Sequence, residues 1–240
     1  MTRQKQKPRL KRAVLGEGPI DAIRTAAPQA GALAHAIIEW TYTNMQRASE
    51  VGLARERDVD LYNATVQLTH LKGGLAPEPM ALVPECKAAL EVWLPQRVFI
   101  RPEQREYLFP SANPMTCYPC KGTKRFTVKS RKKAGETAGT EKIIACPHCH
   151  AIGVRLGVTR HEVDRVVVQV MKLAGIPERF HFPHVLRHSA VTQMLNSGAQ
   201  PPEIQERVGH KSLATTFGYM HTTDEARAKV NKAFARMKLG

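Results

Sequence analysis

At 240 residues the chain has room for one large domain or two small ones built on a real hydrophobic core. A hydrophobic fraction of 42% and a charged fraction of 24% exclude a wholly disordered chain, and no window carries the run of about 18 apolar residues that a membrane span needs. Lys and Arg number 36 against 21 Asp and Glu, a net charge of +15, which favours a polyanionic partner, nucleic acid first and an anionic membrane surface second.

The basic N-terminus, "MTRQKQKPRLKR", has no apolar signal core after it, so residues 1–16 read as a disordered tail able to lie along a phosphate backbone. Residues 17–46 read as helical, and "RASEVGL" as a short helix. Next, "LYNATVQLTHL" alternates, "KGGLAPEP" turns with Gly73 and Gly74, and "MALVP" resumes, a hairpin signature. Pro84 opens a helix over "PECKAALEVWL". Thr159 and Glu162 form a capping box for a helix whose stripe is Val163, Val166, Val167, Val170 and Ala174, stopping at Gly175. A further helix runs from Pro183 to Ser197, with Leu186, Ala190 and Met194 turned to the core. "PPEIQERVG" and the segment after Ser212 give two short helices, and residues 224–237 a last amphipathic one carrying Ala226, Val230, Ala233, Phe234 and Met237 on one face. The expected fold is mainly α with a small antiparallel β-sheet, an α+β class.

Residues 113–152 break that pattern and read as an insertion between two parts of one domain, 17–112 and 153–240. Four of the five cysteines lie here as two C-x-x-C pairs, Cys117/Cys120 and Cys146/Cys149, separated by 25 residues. That spacing is the layout of a zinc ribbon, in which four thiolates hold one structural Zn²⁺. His148 and His150 are alternative ligands, and a redox pair is the rival reading. A segment this short has too little core to fold without a metal. Between the knuckles stand Lys121, Lys124, Arg125, Lys129, Arg131, Lys132, Lys133 and Lys142 against Glu136 and Glu141, an arm suited to a DNA backbone. Lone Cys86 and the absence of a disulfide framework fit a reducing cytoplasm.

Several polar residues carry little weight singly. His184 and Arg187 stand three apart on one helix, as do Arg47 and Glu50, and such pairs are common on surfaces. Lys72 enters a glycine turn, and Tyr219 follows His210 by nine residues. In order, however, Arg-x-x-Ser-Glu, a hairpin lysine, His-x-Leu-Arg-His, Gly-His and the tyrosine resemble the tyrosine recombinase (phage integrase) family, from about residue 36 to 225 outside the insertion. "YLFPS" resembles its linking strand and "VGHKSLATTFGY" its final box.

The resemblance implies a site-specific DNA recombinase. Tyr219 would attack the scissile phosphate, giving a 3′-phosphotyrosyl link without ATP or a catalytic metal. Arg47 and Arg187 would clasp non-bridging oxygens with planar forks, and His210 would donate to the same phosphate. His184 would assist proton transfer from the tyrosine, Lys72 would protonate the departing 5′-oxygen, and Glu50 would orient Arg47. His188 and His221 read as supporting residues, and Tyr107 and Tyr118 fall outside the pattern. The implied partners are double-stranded DNA and further copies of the chain, a homo-tetramer on DNA and a monomer or dimer when free, in the cytoplasm of a bacterium.

Most family members carry a helical DNA-binding domain ahead of the catalytic one. Here only about 35 residues precede the catalytic helices, so the chain reads as lacking it. In this, and in its "RASE" and "LRHS" wording, it resembles the short fimbrial phase-variation invertases. A non-catalytic DNA-binding regulator on the same fold is the alternative reading. A zinc-dependent enzyme would need an open metal position, which four cysteines do not leave.

Overall fold

The computed structural model describes residues 13–70, 74–75, 78–118, 120–129, 141–146, 149, 153–210, 212–217 and 219. The chain divides into two compact units, one of Met1–Arg47 with Val167–Gly240 and one of Ala48–Val166.

The first unit takes in part of what reads as tail. Leu15 is buried, and its N–H donates to Ser189 Oγ at 2.8 Å. Helix α1 (Glu17–Ala26) buries Ile20, Ile23 and Ala26 along one face. Residues 17–46 are mostly helical as expected, in two helices divided at a proline. Proline inside a helix loses a hydrogen bond and clashes with the carbonyl four residues back. The chain therefore makes a 3₁₀ turn over Ala27–Ala30, with Pro28 at its start, and passes through Gly31 at φ +107°, open only to glycine. Helix α2 (Ala32–Thr43) follows and is buried at every residue from Ala36 to Thr41. Its one buried acid, Glu39, is met fork to fork by Arg24, Nε to Oε1 at 2.8 Å and Nη2 to Oε2 at 2.9 Å. That pairing keeps a carboxylate tolerable inside the layer.

The second unit opens with the short helix α3 (Ala48–Val51). Strands β1 (Val59–Asp60), β2 (Thr65–Val66), β3 (Thr69–His70), β4 (Gly74–Leu75) and β5 (Met80–Ala81) follow. They pair antiparallel as β1-β2-β5 and as β3-β4, with Thr65 opposite Ala81 and His70 opposite Gly74. The alternating pattern thus folds back on itself as its turn residues imply. Helix α4 (Pro84–Trp93) starts on its proline and buries Cys86, Ala89, Leu90 and Trp93; the Trp93 indole N–H donates to the Leu108 carbonyl at 2.9 Å. Strands β6 (Pro110–Thr116), β7 (Arg125–Lys129), β8 (Glu141–Ala145) and β9 (Val154–Gly157) form two antiparallel ribbons, β6 with β9 and β7 with β8. The cysteine segment leaves on one strand of a ribbon and returns on the other.

Gly52 meets this ribbon backbone to backbone. A Cβ at Gly52 would sit 1.9 Å from the Val158 carbonyl oxygen, and one at Gly157 would sit 2.1 Å from that of Gly52. Only hydrogen fits at either place.

Helix α5 (Arg160–Leu173) begins with the expected capping box. The Thr159 N–H donates to Glu162 Oε2 at 2.7 Å, and the Glu162 N–H to Thr159 Oγ1 at 3.2 Å. Val163, Val167, Val170 and Met171 are buried, whereas Val166 and Ala174 are half-buried. The boundary between the units falls within this helix.

The first unit resumes with α6 (Pro183–Asn196), α7 (Pro201–Val208) and α8 (Leu213–Phe217). Pro183 and Pro201 open α6 and α7, and Gly209 in the left-handed region closes α7. Helix α6 packs on α2 and α7, and α7 on α8. Leu186 and Ala190 are buried as expected, but Met194, in the last turn of α6, is 40% exposed. The proposed helix 224–237 and His221 lie outside the described residues.

Candidate active site

Helix α6 presents three polar residues in one and a half turns. His184 is exposed, Arg187 is buried and His188 is half-buried. The burial of Arg187 is compensated by backbone. One terminal nitrogen donates to the Met45 carbonyl, and the other donates to the Val208 carbonyl at 2.8 Å. Met45 adopts a positive φ of 51° two residues before Arg47. Val208 ends α7 two residues before His210. A single guanidinium therefore joins the segments that carry Arg47 and His210, and Arg47 itself, four residues after α2 ends, is half-buried. Arg207 adds a second strap, with Nε donating to the Thr43 carbonyl and Nη2 to Asn44 Oδ1, both at 3.1 Å.

After Gly209 the chain is held by Gln205, whose side-chain amide donates to the His210 carbonyl at 3.0 Å. His210 Nδ1 lies 3.0 Å from the hydroxyl of buried Thr216. Its ring stacks on Tyr219, with centroids 6.0 Å apart and planes inclined by 17°.

Tyr219 is 4% exposed and packs among Met45, Ala190, Val191, Ile204 and Val208. Its backbone N–H donates to the Thr216 carbonyl, and its hydroxyl lies 2.8 Å from His188 Nδ1. The His184 ring meets His188 edge-on, with centroids 5.9 Å apart. Tyr219 thus packs like a core residue while its one polar atom is aimed at an imidazole.

The first unit gathers His184, Arg187, His210 and Tyr219 with the segment of Arg47. Glu50 belongs to the second unit, where it is buried in α3. Lys72 lies between β3 and β4, outside the described residues. Sequence reasoning did not single out Thr216 or Arg207, and it left His188 in a supporting role. A threonine in "LATTF" and an arginine ending a helix carry no signal that sets them apart.

In the second unit the four cysteines converge. All four are buried, and their sulfurs lie within 4.8 Å of one another, with Cys117 to Cys146 at 3.8 Å and Cys120 to Cys149 at 3.6 Å. These separations exceed a disulfide bond of about 2.05 Å. They match the edge, about 3.8 Å, of a tetrahedron whose centre lies about 2.3 Å from each sulfur, the zinc–thiolate distance. The Gly153 N–H donates to Cys149 Sγ at 3.3 Å. Burial would raise the Cys120 thiol, but hydrogen bonds from Cys117 and Cys149 and from the Lys124 backbone bring it down to about 7, while burial pushes the Cys117 and Cys149 thiols up. Lys121, Lys124, Arg125 and Lys142 are exposed around the knuckle and on the β7–β8 ribbon. Arg131, Lys132 and Lys133 lie outside the described residues. Among the described residues no helix is long and apolar enough to cross a membrane.

Comparison with known proteins finds relatives along most of the chain. The model of the phage integrase family matches residues 14–226. The tyrosine recombinase XerC of Bifidobacterium longum (strain DJO10A) is 30% identical over 203 residues, 84% of this chain and 47% of that protein. The chain thus spans about half the length of that relative. Among solved structures, the XerA recombinase superimposes with a TM-score of 0.64 at 22% identity, covering 96% of this chain and 66% of the other. The XerH site-specific recombinase in a post-cleavage complex with its palindromic difH substrate gives 0.60 at 16% identity, covering 93% and 54%.

Proposed function

This chain belongs to the phage integrase family, and from that premise we propose that it is a site-specific recombinase that cuts and rejoins double-stranded DNA through Tyr219. The observation that carries the reading is the placement of the phenol, stacked on His210 and bonded to the helix that bears Arg187. Cleaving a phosphodiester by a protein oxygen needs a nucleophile, positive charge fixed on the phosphate, and carriers for two protons.

The chain supplies each in turn. Arg47 and Arg187 offer forks to the non-bridging oxygens, and anchoring of Arg187 on two carbonyls orients its fork before DNA arrives. The Thr216 hydroxyl engages His210 Nδ1 at 3.0 Å, which leaves Nε2 as the ring nitrogen for the phosphate. Tyr219 attacks phosphorus, and its proton passes to an imidazole on α6. The 5′-oxygen leaves with a proton from Lys72, and Glu50 orients Arg47. The 3′-phosphotyrosyl ester keeps the energy of the broken bond, so a second 5′-hydroxyl reseals it. Nothing in this sequence of steps calls for ATP or a catalytic metal.

The four cysteines would hold one structural Zn²⁺, which would stabilise the knuckle that presents Lys121, Lys124 and Arg125 to the DNA backbone. The "RASE" and "LRHS" wording supports a kinship with the fimbrial invertases. By the same resemblance the chain works as a tetramer on DNA, in a bacterial cytoplasm.

The test uses nicked suicide duplexes tiled across the DNA that flanks the coding region. Wild type should form a denaturation-resistant protein–DNA adduct and Tyr219→Phe none. Binding without an adduct on every duplex would instead favour a non-catalytic regulator.

A further inference from the structure

We propose that His188 is a catalytic residue, the base that receives the phenolic proton of Tyr219. The inference rests on the recombinase reading and adds an assignment that family resemblance places elsewhere, on His184. Three observations carry it. His188 Nδ1 lies 2.8 Å from the Tyr219 hydroxyl, at hydrogen-bond distance of the reacting oxygen. His188 follows Arg187 directly, so the base and the phosphate-holding fork ride on one rigid helix and keep their spacing when the tyrosine moves. His184 stands one turn earlier, exposed, and meets the edge of the His188 ring at 5.9 Å.

The protons and bonds balance. As the bond from Tyr219 Oη to phosphorus forms, the P–O5′ bond breaks. The phenolic proton moves to His188 Nδ1, making an imidazolium, and the 5′-oxygen takes the proton of Lys72. Resealing runs the same steps backwards, with His188 returning its proton to the departing phenolate. The proton crosses when bonding to phosphorus withdraws electron density from the oxygen, which is where general-base help acts.

Two other rings pack against this pair, His184 from α6 beside His188 and His210 from the segment after α7 beside Tyr219.

The test measures single-turnover adduct formation on the nicked duplexes by the full chain, with a mobility shift on the same duplexes to report DNA binding. His188→Ala should slow adduct formation about 10²–10⁴-fold with binding kept. His188→Gln, which keeps an acceptor for the hydroxyl but cannot take a proton, should be equally slow. Added imidazole should restore His188→Ala and not His188→Gln, with a rate that rises with the basicity of substituted imidazoles. Wild-type rates in His188→Gln, or slow variants that no imidazole restores, would reduce His188 to a structural support and overturn the proposal. A wild type that forms no adduct at all would fail earlier, at the recombinase reading itself.

Discussion

Arg187→Lys separates the two jobs assigned to one guanidinium. Arg187 is 3% exposed and holds the carbonyls of Met45 and Val208, whose residues are themselves buried. An ammonium is a compact charge that reaches one of these carbonyls but not both, so one buried acceptor is left without its donor. A hydrogen bond to a charged group contributes about 1.5–3 kcal/mol, and about 2–4 °C of melting temperature goes with each kcal/mol in a chain of this size. The apparent Tm of the variant should therefore fall by about 3–12 °C. Adduct formation should fall further, by about 10²–10³, because the fork on the phosphate is lost as well. Calorimetry and the nicked-duplex assay, run on the same preparation, read both. A variant that melts within about 1 °C of wild type would refute the clamp that joins the Arg47 and His210 segments.

Other consequences are sharp enough to measure. Thr216→Val keeps the shape but removes the partner of His210 Nδ1, and should slow adduct formation about five- to tenfold while costing about 1 kcal/mol in a denaturant melt. Cys117→Ser should lower bound zinc from one per chain towards none by elemental analysis, and a chelator should do the same to wild type; both should weaken DNA binding and flatten its salt dependence. Gly52→Ala places a methyl carbon 1.9 Å from the Val158 carbonyl oxygen and should destabilise the fold by more than about 3 kcal/mol, read from urea unfolding. Ile204→Ala opens space beside the Tyr219 ring and should destabilise by about 2–5 kcal/mol by the same measurement.

Much of the local structure was legible because its signals are local. Prolines at 84, 183 and 201 start helices, the Thr159–Glu162 box starts another, and glycines at 198 and 209 stop two. Pro28 belongs to the same grammar and divides the helical stretch 17–46 into two helices. The cysteine cluster was legible since two C-x-x-C knuckles constrain a sulfur tetrahedron whatever lies between them. Less accessible were contacts made at long range. Arg187 reaches back 142 residues to Met45, and Leu15 reaches forward to Ser189, which draws in residues that composition assigns to a tail. The role of His188 was hidden for a related reason. Periodicity puts His184 and Arg187 on one face, but only the packing of Tyr219 against Val191 and Val208 decides which imidazole its hydroxyl meets.

The most direct measurement is the chemical identity of the protein–DNA link. Wild type trapped on a nicked duplex, digested with protease and nuclease, should yield by mass spectrometry one peptide carrying a 3′-nucleotide phosphate on the oxygen of Tyr219, stable to alkaline hydroxylamine. A nucleotide on any other residue, or adducts that persist in Tyr219→Phe, would contradict the account.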